Sequence, residues 1–145
     1  MEIVKYKSEY RNDMLNVWEV SVLAAHHFLK REDFLEIKAM LQTFVFTQLD
    51  AFCLIKDDKI AGFMGVHEQK IEMLFLEPEN IGKGYAKRLP AFAFKNFGIN
   101  RVDVNEQNTN AKLFYEKMAF EVYDRTGFDD MGKNYPILKM KLKKI

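Results

Sequence analysis

The segment Leu74-Phe75-Leu76-Glu77-Pro78, followed by Ile81-Gly82-Lys83-Gly84, constrains this chain more than any other. It reads as a strand running into a glycine-rich turn. The residues after it, to about Phe97, carry helical spacing. Gly98 suits the C-terminal cap of that helix, and Arg101–Asn105 reads as the next strand. A strand, a helix and another strand demand a crossover connection, so part of the sheet is expected to be parallel.

The other elements fall around this unit. A short strand is predicted over 3–6. A helix over 8–26 follows, with Ser8 as its cap and Met14, Leu15, Trp18, Val22 and Ala25 on one stripe. A second helix over 31–47 carries Phe34, Ile37, Leu41 and either Phe44 or Val45. The period then changes. Strands over 51–55, 59–66 and 71–76 form a meander, with Asp57-Asp58 as a turn. After the fifth strand come a helix over 108–118 and strands over 120–126 and 135–143. The expected fold is mixed αβ, in the order βααβββαβαββ: a central sheet of about seven strands with helices on both faces.

Composition narrows the function. The 145 residues suit one domain, 1–145, with 48% hydrophobic and 30% charged residues. Lys and Arg number 22 against 21 Asp and Glu, a formal charge of +1. A nucleic-acid binder normally carries a basic excess, so no such partner is expected. Cys53 is the single cysteine, which leaves no disulfide framework, and no His or Cys spacing suits a metal. No apolar run approaches a membrane span and no leader pattern opens the chain, so a cytoplasmic protein is expected.

Chemically, the glycine turn is an anion cradle. Glycine lets backbone approach a ligand closely, and the first N–H groups of a helix lack internal partners. Lys83, Lys87 and Arg88 add positive charge. A Walker A loop is excluded because Tyr85 and Ala86 follow Gly84, and a dinucleotide fingerprint is excluded because Lys87 takes the place of its last small residue. An ordinary strand-to-helix turn is the simpler reading of the loop taken alone.

A second block lies further on: Asn108, Ala111, Phe114-Tyr115-Glu116-Lys117 and Phe120. Together the two blocks resemble the GCN5-related N-acetyltransferase superfamily, whose acetyl-CoA loop matches Ile81-Gly82-Lys83-Gly84-Tyr85-Ala86 and whose following block matches Asn108 to Phe120. The element order of the whole chain agrees. Ser21-Val22, Ala25-His26, Phe28-Leu29, Asp129-Asp130, Gly132-Lys133 and Tyr135-Pro136 are similar to a small bacterial subgroup of largely unassigned substrate. Ile81 departs from the usual Gln or Arg. Ala119 departs from a usual Gly and costs ~1 kcal/mol if its backbone is left-handed. Pro90 is expected to kink the loop helix.

The resemblance implies an acetyl-CoA-dependent N-acetyltransferase in which a primary amine attacks the thioester directly. Ile81, Gly82, Lys83, Gly84, Tyr85, Ala86 and Lys87 would hold the pyrophosphate. Leu74, Phe75 and Leu76 would pair with the pantetheine arm through their backbone, with Asn108, Ala111 and Phe114 beside it. Tyr115 would be the acid for the leaving thiolate, its ordinary pKa being near ~10. Its place on the face of Ala111, Phe114 and Met118 equally fits a core helix. The base is left open between Glu72, His26 and a water chain. Strand alternation puts Glu72 with Leu74 and Leu76, and His26 would titrate near ~6.5. Asp129, Asp130 and Tyr135 would line the acceptor site with His26, or else form a turn. The acceptor, a small molecule or a peptide amine, is not specified, nor is monomer against homodimer. Two other classes remain: an acyl-CoA sensor without turnover and a nucleotide-binding domain.

Overall fold

The computed structural model describes residues 2–25, 27–78 and 84–143. Strand β1 (Glu2–Lys5) leads through a 3-10 turn (Ser8–Tyr10) to α1 (Arg11–Ala25) and α2 (Arg31–Gln42). After a 3-10 turn (Phe46–Gln48) come β2 (Asp50–Lys56), β3 (Lys59–His67) and β4 (Lys70–Leu76). A 3-10 turn (Tyr85–Lys87) opens α3 (Arg88–Phe97), followed by β5 (Arg101–Asn105), α4 (Thr109–Lys117), β6 (Phe120–Thr126) and β7 (Ile137–Leu142). The sheet order is β1-β2-β3-β4-β5-β7-β6, and β4 with β5 is the parallel pair.

Helices cover both faces. Met14, Val17, Trp18 and Val22 of α1, with Phe34 and Leu41 of α2, pack on Cys53 and Phe63 of the sheet. Trp18 stacks on Phe34 at 5.4 Å between ring centroids. On the other face, Leu89 and Ala93 of α3 and Tyr115 of α4 pack on Leu54, Met64, Val102 and Met140. Each large apolar side chain buried this way contributes ~1.5–3 kcal/mol. Among the described residues, no helix is long and apolar enough to cross a membrane.

Three local expectations are corrected. Ser8 caps nothing: it opens the 3-10 turn, and α1 begins at Arg11. The second helix ends at Gln42 rather than 47, because Arg11 takes over its terminal carbonyls. Its guanidinium donates to Leu41 O and Gln42 O at 2.8 Å and to Phe44 O at 2.6 Å, which stops the helix there. Pro90 falls in the first turn of α3, where no intrahelical partner is required of its nitrogen, because the preceding turn is 3-10. Ala119 does take the left-handed conformation, with φ 71°.

Candidate active site

The two central strands barely meet. β4 pairs with β3 from Lys70 to Leu76, but with β5 only at Lys70↔Arg101 and Ile71↔Val102. Beyond those pairs the strands part, and among the described residues no strand covers the edges they turn toward each other. The sequence cause lies in β4. Gly65 pairs with Met73 and Val66 with Ile71, so Glu72 is an extra residue, a β-bulge. Bulges bend a strand and increase its twist, which carries β4 away from β5.

The gap is a cleft of about 400 Å³. Its lining comes from both faces of the sheet. Leu74, Ala111, Phe114 and Tyr115 belong to the α3/α4 face, and Ser21 and Ala25 come from α1 on the other. The cleft therefore has residues from both faces of the sheet on its walls.

The bulge corrects the placement of Glu72. Plain alternation groups Glu72 with Leu74 and Leu76, which pack with the α3/α4 core. The extra residue resets the count, so Ile71, Leu74 and Leu76 share that core and Glu72 lies on the α1 side. There Lys70 Nζ stands 2.6 Å from Asp103 Oδ2 and 3.9 Å from Glu72 Oε1. Burial works against the Lys70 ammonium, but the hydrogen bond to Asp103 and the charges of Asp103, Glu72 and Asp130 outweigh it and raise its pKa. Asp103 was not anticipated. Its place between Val102 and Val104, both inward, was the available signal.

Tyr115 belongs both to the core and to the cleft wall. It is 5% exposed and packs edge-on against Phe114 and Phe120, at 5.1 and 5.8 Å between centroids. It also lines the cleft. Burial alone pushes its phenol pKa above the ordinary value, so it stays a neutral donor at any physiological pH.

Asn108 caps α4: its Oδ1 accepts from Ala111 N at 3.1 Å, and the residue also lines the cleft. At the glycine turn, Gly84 has φ 80°, and a Cβ there would meet nothing within 4 Å. The backbone at that point is open to a ligand, and Lys87 and Arg88 are exposed beside it. Lys56 Nζ lies 4.9 Å above the Tyr85 ring, bringing β2 to the same turn. Ile81, Gly82, Lys83 and His26, and the side chain of Ala86, lie outside the described residues.

The loop between β6 and β7, expected at the acceptor site, is held by contacts of its own. The carboxylate of Asp129 accepts from Met131 N and Lys133 N at 3.0 and 2.8 Å, closing a turn. Tyr135 is buried; its hydroxyl donates to Asp33 and accepts from Lys30 N at 3.0 Å. Lys133 Nζ bridges Asp33 at 3.0 Å and Glu36 at 2.6 Å. These contacts latch the β6–β7 loop to the start of α2. Tyr135 and Asp129 are thus engaged in holding the loop, while the charge of exposed Asp130 acts on Lys70. Burial pushes the Cys53 thiol up to about 12, which leaves it inert.

Known proteins share this fold. A family model described as an acetyltransferase (GNAT) domain matches residues 17–144. The peptidyl-lysine N-acetyltransferase YjaB of Salmonella typhimurium is 32% identical over 141 residues, 97% of each chain. YjaB of Escherichia coli is 31% identical over 140 residues, 97% of this chain and 95% of that one. The solution structure of its apo form superposes with a TM-score of 0.90 at 30% identity, covering 99% of this chain and 98% of the other. A Thermoplasma acidophilum PaiA N-acetyltransferase solved with coenzyme A shares the fold, with a TM-score of 0.75 at 24% identity over 99% and 98% of the chains.

Proposed function

The chain belongs to the GNAT acetyltransferase family, with acetyl-CoA as its cosubstrate, and from that premise we propose that it acetylates the side-chain amine of lysine in a peptide or protein. The observation that carries this reading is the cleft between β4 and β5, with a phenol and a carboxylate on its walls. The name of the YjaB relatives supplies the acceptor class.

Bound acetyl-CoA supplies a thioester carbon open to attack by nitrogen. The open edge of β4 beyond Ile71 would take the pantetheine arm as an added strand. Gly84 with Lys87 and Arg88 would take the phosphates through backbone N–H groups and charge. The lysine arrives as an ammonium and must lose a proton first, which Glu72 receives from the α1 side. As the C–N bond forms and the C–S bond breaks, Tyr115 donates a hydrogen bond to the departing sulfur. An ordinary thiol titrates near ~8.5, below this phenol, so Tyr115 acts chiefly by stabilising the thiolate. In the net reaction, one nitrogen proton ends on sulfur and the other passes through Glu72 to solvent.

The test is turnover. The protein is incubated with acetyl-CoA and two peptides, one blocked at its N-terminus and one blocked at its lysine, and free thiol and acetylated product are followed. Acetylation confined to the lysine amine is expected. Acetylation of the α-amine alone would replace the acceptor class. Binding of CoA without turnover on any amine would make the protein an acyl-CoA sensor.

A further inference from the structure

Glu72 is poorly placed to hold itself still. As the bulged residue it lacks the cross-strand partner that its neighbours in β4 have. It is a long side chain, 32% exposed, and it shares its surroundings with two more carboxylates, Asp103 and Asp130. Repulsion from those groups would drive it outward into water, away from the cleft. The α1 residues that line the cleft, Ser21 and Ala25, bring no charge against it.

The Lys70 ammonium answers this arrangement. It belongs to the last stretch of β4 that still pairs with β5, and its contact with Asp103 crosses from one strand to the other just short of the parting. The two contacts are unequal. Asp103 holds the ammonium at 2.6 Å, in hydrogen-bond range, while Glu72 stands at 3.9 Å. Glu72 is thus attracted without being consumed by a direct hydrogen bond, and Asp103 is occupied and withdrawn from competition for an incoming cation. A fully paired Glu72 could not receive a proton readily, and an unpaired one would not stay at the cleft.

We propose that Lys70 is a positioning residue, pinned by Asp103, that holds the Glu72 carboxylate at the acceptor side of the cleft. The inference rests on the reading of Glu72 as proton acceptor. It assigns no direct part in the chemistry to Lys70, whose ammonium is held charged and is neither base nor acetyl acceptor.

A double-mutant cycle on the full chain tests it, using acetyl-CoA and a lysine peptide blocked at its N-terminus. Removing the ammonium in Lys70→Met or Lys70→Gln is expected to lower kcat about tenfold or more while the KM for acetyl-CoA stays put. Lys70→Arg, which keeps the charge, is expected to recover most of that loss. In the Glu72→Gln background, Lys70→Met should cost nothing further, because the group it positions has gone. A thermal shift with CoA checks that each variant is folded. Equal loss in both backgrounds, or unchanged kcat in both neutral Lys70 variants, overturns the inference and leaves the Glu72 reading standing. Full turnover by Glu72→Gln removes that reading and this inference with it.

Discussion

The strand β4 has two edges, and they lead different lives. Its β3 edge is paired from Lys70 to Leu76 with only the bulged Glu72 left out, and there the sheet is packed tightly: a Cβ on Gly62 would sit 2.9 Å from Phe75 O and 2.7 Å from Leu76 Cδ1. Its β5 edge is paired only at Lys70 and Ile71, and the backbone beyond opens into the cleft. The contrast teaches how one strand can be a scaffold along one edge and leave the other free. The paired edge fixes the strand in space, so the open edge can present donors and acceptors already aligned for a ligand. Tyr115 shows the same division within one residue, its ring packed in the core and the residue itself forming part of the cleft wall.

The largest expected effect comes from breaking the open side chemically. Tyr115→Phe keeps the ring and its packing but removes the donor. Steady-state kinetics should show kcat lower by about 10²–10⁴-fold, the usual range for a lost acid or donor, with CoA affinity by calorimetry unchanged. An equal loss of CoA binding would mean that the hydroxyl holds the cofactor.

Filling the open edge sharpens the comparison next. CoA at a hundredfold excess over its Kd should raise stability by about 2.7 kcal/mol. Hydrogen exchange should slow at the β4 amides that face β5 and stay unchanged at those paired with β3. Protection spread evenly over both edges would count against strand-like docking of the pantetheine.

Breaking the paired edge should cost stability without touching chemistry directly. Gly62→Ala pushes a methyl against the Phe75 carbonyl, and denaturant unfolding should show a loss of about 1–3 kcal/mol. A neutral result would show that β3 and β4 can move apart at no cost.

Two smaller effects lie outside the strand and serve as controls on it. Ala119→Gly relieves a left-handed alanine at φ 71°, and should add about 1 kcal/mol, seen as a melting temperature higher by about 2–4 °C. The last concerns the latch between the β6–β7 loop and α2. Hydrogen bonds from Tyr135 and Lys133 hold the Asp33 carboxyl below its ordinary value. A lowered folded-state pKa means that the contribution is complete above the ordinary Asp range near ~4 and fades as pH falls through the lower folded-state value. Asp33→Asn should therefore be less stable than the parent at neutral pH, with the gap closing in acid. A gap of constant size from neutral to pH 2 would show that the charge contributes nothing.

Much of this was legible in order and less in register. The strands Arg101–Asn105 and Phe120–Thr126 have the boundaries that their alternation predicts, and Gly98 caps α3 at φ 60°. The turn at Gly84 and the place of Tyr115 on a helix were readable because a motif fixes their spacing. The face that Glu72 occupies was not readable, since a bulge adds one residue without any mark in the alternation of its own strand. Asp129 and Tyr135 were legible as residues of the loop between the last two strands. Their true partners, backbone groups of their own loop and Asp33 on a distant helix, were not.

The sequence by itself determined the element order, the crossover that makes β4 and β5 parallel, and the family chemistry that its two motifs imply. These follow from local periodicity and from spacing along the chain, which a single strand or helix expresses on its own. Tertiary structure alone decided where β4 and β5 part, which face Glu72 occupies, that Lys70 reaches Asp103, and that Arg11 ends α2. Each depends on a pairing between residues far apart in the chain. Such a pairing follows from how several elements pack at once, and no one of them carries it alone.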